Sequence, residues 1–69
     1  MSQTYLSLNS MENILRRAGA DRVSHEAKEE LRKEVESYAD DLAKLALTFT
    51  KHASRKTVKA EDVKSASDL

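Results

Sequence analysis

The chain has 69 residues with no Cys, no Pro and one Gly, and its 12 basic side chains are matched by 12 acidic ones for a formal net charge of zero. That length allows a single domain, and the lack of cysteine excludes disulfides and thiolate metal sites, two of the usual supports of a small fold. A neutral sum also argues against the uniform basic excess that marks many nucleic-acid binders, although it leaves open how the charge is distributed.

Residues 1–8 are polar and Ser-rich and read as a flexible N-terminal segment, with one domain over residues 9–69. A first helix is expected from Asn9 or Ser10, since Asn9 with Glu12 three positions on fits a capping box. Met11, Ile14, Leu15 and Ala18 then follow the spacing of one buried helical face. Arg16 and Arg17 fall in the last turn, where the helix dipole favours cations, and Gly19 supplies a left-handed cap. Ala20, Asp21, Arg22 and Val23 form a short extended connection. Ser24 caps a second helix, along which Ala27, Leu31, Val35, Tyr38, Leu42, Leu45, Ala46 and Phe49 recur in steps of three or four up to about Lys51. Such a helix is roughly 40 Å long. Residues 52–57 make a second connection and Val58 is extended. Ala60, Glu61 and Asp62 open a third helix with its acids in the first turn, followed by Val63, Ala66 and Leu69 as apolar positions.

The fold class is therefore all-α: short helix, loop, long helix, loop, short helix. Two short helices cannot cover so long a central one, and the uncovered part would be a large apolar patch on a monomer. An obligate dimer resolves this, with Leu31, Val35, Tyr38, Leu42 and Leu45 as its core. A monomeric three-helix bundle is the alternative.

Catalysis is not expected. There is no paired-His motif, no Gly-rich phosphate loop and no credible Ser-His-acid set, and two histidines are too few for a metal cage. No cofactor, metal or small-molecule substrate is anticipated. No apolar run of about 18 residues could cross a membrane, and no secretory signal is recognisable, so a cytoplasmic protein is expected.

The two connections are more specific than the helices. Ala18-Gly19-Ala20-Asp21-Arg22-Val23-Ser24 resembles the first loop of archaeal histones. Lys51-His52-Ala53-Ser54-Arg55-Lys56-Thr57-Val58-Lys59-Ala60-Glu61-Asp62-Val63 resembles their second loop and third-helix start. The similarity spans about residues 11–69. It implies a histone fold, a handshake dimer, and a nucleoid-associated protein that bends and compacts double-stranded DNA without reading its sequence. In that arrangement the first loop of one subunit lies beside the second loop of the other. DNA contacts carry over to Arg22, directed into the minor groove, and to Arg55, Lys56 and Thr57, with Lys56 and Thr57 on phosphate. Arg16 and Lys59 join these candidates as cations beside the same loops. The resemblance also implies an intrasubunit clamp between Arg55 and Asp62, and a dimer–dimer contact through Phe49, His52 and Asp62. It allows tetramers, longer stacks and a heterodimer with another histone.

Charge is segregated in the same sense. Lys51, Arg55, Lys56 and Lys59 give residues 50–60 a local charge of +4, whereas seven acids against three bases give residues 26–41 a charge of −4. Basic loops bind phosphate by releasing counterions, with no need for base readout. Four departures from the family pattern stand out. Asn13 replaces a DNA-facing arginine and Glu12 beside it is acidic, Ser54 replaces a loop glycine, and Ser65 replaces a large aliphatic. Asn13 and Glu12, with the zero net charge, keep an alternative open, a histone-fold interaction module with weak or no DNA binding.

Overall fold

A computed structural model describes residues 5–69. The expected flexible segment thus lies partly outside the described residues, at positions 1–4. Three helices are formed, α1 (Leu8–Arg17), α2 (His25–His52) and α3 (Ala60–Ser67), with no strand among the described residues. The chain divides after Ser37 into two compact units, and α2 contributes to both.

In the first unit α1 opens at Leu8, so its cap is Ser7 rather than Asn9 or Ser10. The Ser7 hydroxyl accepts the Ser10 N–H at 3.0 Å and donates to the Ser10 hydroxyl at 2.8 Å. The capping box expected between Asn9 and Glu12 does not form, because the helix opens under Ser7 and Asn9 already lies inside it, while Glu12 pairs with Arg16 and Lys28. Ahead of the cap, the backbone N–H groups of Tyr5 and Leu6 both donate to Glu36 Oε2, at 2.7 and 3.0 Å. Residues 5 and 6 are thereby tied to α2. Ser24 caps α2 by accepting the Ala27 N–H at 3.0 Å.

In the second unit, α3 begins where Asp62 Oδ2 accepts the Lys59 N–H at 2.9 Å. This is the carboxylate half of a capping box. A lysine side chain has no acceptor for the other half, and the Asp62 N–H bonds to the Lys59 carbonyl instead.

The buried apolar residues are few: Met11 in the first unit, and Ala46 and Ala66 in the second. Leu31, Val35, Leu42, Leu45 and Phe49 are only half-buried, and Tyr38 is 61% exposed. Ile14, Leu47, Val58 and Val63 are exposed as well. A chain of this size with so small an internal core lacks the apolar burial that offsets its conformational entropy.

Candidate nucleic-acid interface

Both loops leave their helix by the same turn. After α1, the Gly19 N–H bonds to the Arg16 carbonyl and the Ala20 N–H to that of Leu15, at 3.0 and 3.1 Å, with Gly19 at φ 116°. After α2, the Ser54 N–H bonds to Lys51 and the Arg55 N–H to Thr50, at 2.9 and 3.1 Å, with Ser54 at φ 57°. Paired bonds of this kind satisfy the last carbonyls of a helix and require a left-handed residue at the turn. Gly19 occupies its position without steric cost. Ser54, standing where a glycine is common, keeps the turn but carries the strain of a side chain in the left-handed region.

Each loop is also braced by an arginine. In the first unit Arg16 donates through Nε to Glu12 Oε2 at 2.9 Å and through Nη1 to the Asp21 carbonyl at 3.1 Å. Lys28 Nζ reaches the other Glu12 oxygen at 3.2 Å, which joins α2 to the same carboxylate. The Arg16 and Lys28 hydrogen bonds hold the Glu12 carboxyl below the usual glutamate range.

In the second unit Arg55 grips Asp62 in a two-pronged pair, Nη1 to Oδ2 and Nη2 to Oδ1, both at 2.9 Å. Arg55 Nη1 also donates to the Thr57 carbonyl at 3.1 Å. Asp62 is 3% exposed, and its Oδ2 lies 2.7 Å from the Thr50 hydroxyl. The Arg55 guanidinium above all, then the Lys59 N–H and the Thr50 hydroxyl, hold the Asp62 carboxyl well below the usual aspartate range. Every donor on this carboxylate comes from loop 2 or its flanking helices, so one buried anion organises the whole turn.

These struts sort the candidate residues into two groups. Arg22, Lys56, Thr57 and Lys59 are exposed, and none of the three cations is ion-paired with a carboxylate among the described residues. Arg22 and Val23 edge a shallow depression also lined by Leu15, Ala20, Ser24 and Ala27. Arg16 and Arg55 instead spend their directed N–H groups on carboxylates and loop carbonyls. At the end of α2, Phe49 is half-buried and His52 exposed, whereas both oxygens of Asp62 are engaged within its own unit.

Sequence reasoning missed several of these features, among them the Arg16 brace on the Asp21 carbonyl, the Thr50 hydroxyl on Asp62, the Glu12 bridge to Lys28, and the grip of Glu36 on the Tyr5 and Leu6 amides. Thr50 lies one turn beyond Ala46 on the buried side of α2, and a polar side chain there needs a partner. That was the available signal. Nothing in the spacing of Glu12 and Lys28, or of Glu36 and Tyr5, pointed to those two contacts.

Comparison with known proteins agrees with this architecture. Residues 4–66 match the family model described as histone-like transcription factor (CBF/NF-Y) and archaeal histone. An archaeal histone of Thermococcus zilligii, one of the subunits of HAN1, is 46% identical over 61 residues, covering 88% of this chain and 91% of that protein. Probable archaeal histone 3 of Methanocaldococcus jannaschii is 47% identical over 53 residues, covering 77% and 79%. With three helices of the expected order joined by two braced loops, and with this match over nearly the whole length, the chain belongs to the family of histone-like transcription factors and archaeal histones and has the histone fold.

Proposed function

We propose that this protein is a chromosome-associated, non-enzymatic packaging protein that binds and bends duplex DNA as a histone dimer. The observation that carries the reading is the set of exposed, unpaired loop cations, Arg22, Lys56 and Lys59, displayed from turns already fixed in shape. The apolar stripe of α2, with half-buried Leu31, Val35, Leu42 and Leu45 and exposed Tyr38, pairs with the same face of a second chain. The partner is another copy or a related histone. Pairing sets loop 1 of one subunit beside loop 2 of the other and so joins their charges. Lys56 and Thr57 meet phosphate, Arg22 enters the minor groove, and bending follows from such contacts without base readout. Dimers associate further through Phe49 and His52 at the end of α2, whereas Asp62, also expected at this contact, is engaged within its own unit.

The alternative, an interaction module with weak or no DNA binding, draws on the zero net charge, Asn13 and Glu12. Internal pairing of Glu12 with Arg16 and Lys28 weakens that alternative, because its charge is largely compensated. A salt titration of duplex binding tests the proposal. Affinity falls steeply with salt for the wild type, and the log–log slope is shallower in Lys56→Ala by about one per lysine removed. Absence of binding even at low salt rejects DNA packaging in favour of the interaction module.

A further inference from the structure

We propose that Arg16 is a positioning residue for loop 1, set by Glu12, and not a phosphate contact. The inference rests on the DNA-binding reading for its consequence but not for its geometry.

Three observations converge on it. First, the Arg16 guanidinium points in two directions at once, Nε onto Glu12 Oε2 at 2.9 Å and Nη1 onto the carbonyl of Asp21, the residue before Arg22. A guanidinium is a planar fork, so fixing two of its nitrogens fixes the group. Second, Glu12 is itself anchored by Lys28 of α2 at 3.2 Å, which makes the strut a link from α2 through α1 to the loop. Third, loop 2 is built on the same plan. Arg55 is held by a carboxylate and donates to a loop carbonyl, that of Thr57, next to Lys56. In both loops the braced carbonyl belongs to a residue next to an exposed cation that has no carboxylate partner among the described residues. The chemistry divides accordingly, with one basic side chain as a strut and its neighbour free for an external anion. The acid at position 12 then has a constructive role, because it orients the strut that presents Arg22.

The two roles predict different behaviour. A phosphate contact releases counterions, so its loss flattens the dependence of affinity on salt. A strut changes affinity at every salt concentration alike and leaves that slope in place. Duplex binding is measured across a salt series for the wild type, Arg16→Ala, Glu12→Gln and Lys56→Ala, with Arg17→Ala as a charge control on the same turn. Amide hydrogen exchange is measured on each protein without DNA. Arg16→Ala is expected to weaken binding several-fold with the slope unchanged, whereas Lys56→Ala flattens it. Arg16→Ala and Glu12→Gln are each expected to speed exchange at Gly19 and Ala20 several-fold, as suits a partly exposed ion pair. The double variant should add little to either single one, and Arg17→Ala should leave exchange unchanged. A slope flattened by Arg16→Ala as much as by Lys56→Ala overturns the proposal. So does unchanged exchange in both strut variants. If the wild type does not bind duplex at all, the packaging role fails, and exchange in the free protein still decides whether the strut exists.

Discussion

The Thr50 hydroxyl lies 2.7 Å from Asp62 Oδ2, and Thr50 is 1% exposed. This bond joins the last turns of α2 to the first turn of α3 across twelve residues of chain. The same hydroxyl also lies 3.0 Å from the Ala46 carbonyl, an alternative acceptor on its own helix. Thr50→Val keeps the shape and removes only the hydroxyl, so it isolates the bond. The expected loss is about 1.5–3 kcal/mol, the range for a hydrogen bond to a charged partner. Denaturant unfolding measures it, and an unchanged midpoint would show that Ala46 takes the proton instead.

Asp62 offers a second test, with pH as the variable. Its carboxyl is held below the ordinary aspartate value of 3.8, chiefly by Arg55. A depressed folded-state pKa stabilises the protein fully above the unfolded value, and this stabilisation is lost as pH falls toward the folded one. The wild type should therefore lose stability progressively below about pH 4. Asp62→Asn should lower the melting temperature by about 10 °C or more at neutral pH, since it leaves the Arg55 charge without its partner. The gap between the two proteins should narrow as acid is added, which thermal melts across a pH series would reveal.

Ser54 holds a left-handed backbone at φ 57°. Glycine removes the steric cost at that position while adding freedom to the unfolded chain, two effects of opposite sign. Ser54→Gly should stabilise the protein by about 0.5–1 kcal/mol. Calorimetry checks the gain, and unchanged duplex affinity would show that the turn was already in its final shape.

Gly19 is the converse case. It sits at φ 116°, and a side-chain carbon placed there meets nothing within 4 Å. Any cost of Gly19→Ala is therefore backbone strain and not a clash. The expected destabilisation is about 1–3 kcal/mol. An unfolding midpoint equal to that of the wild type would show that the loop relaxes to another turn.

Much of this architecture is legible in the sequence because its signals are local. The i, i+3, i+4 stripe of α2, the Ser24 cap and the Gly19 stop each depend on residues within a turn or two. The start of α1 is less legible. Ser7, Asn9 and Ser10 can all cap a helix, and spacing alone does not say which does; in the structure Ser7 takes the role by accepting the Ser10 N–H. The loop struts divide in the same way. Arg55 with Asp62 is readable through resemblance to histones, whereas Arg16 with Asp21 is not, because its target is a backbone carbonyl and carries no residue signature. Tyr38 shows what one chain leaves undetermined. Its place in the apolar stripe is plain, yet it stays 61% exposed among the described residues.

The matched turns after α1 and α2 bear on how tightly so neutral a protein can hold a polyanion. Segments that fold only on contact surrender part of their interaction energy to ordering. Here Gly19, Ser54 and the two arginine struts have set the backbone beforehand, so under the proposed DNA-binding role a phosphate would meet groups that need little further immobilisation. A small number of cations can then suffice. Because each protomer displaces few counterions, the salt dependence would be set by how many loops engage the duplex together.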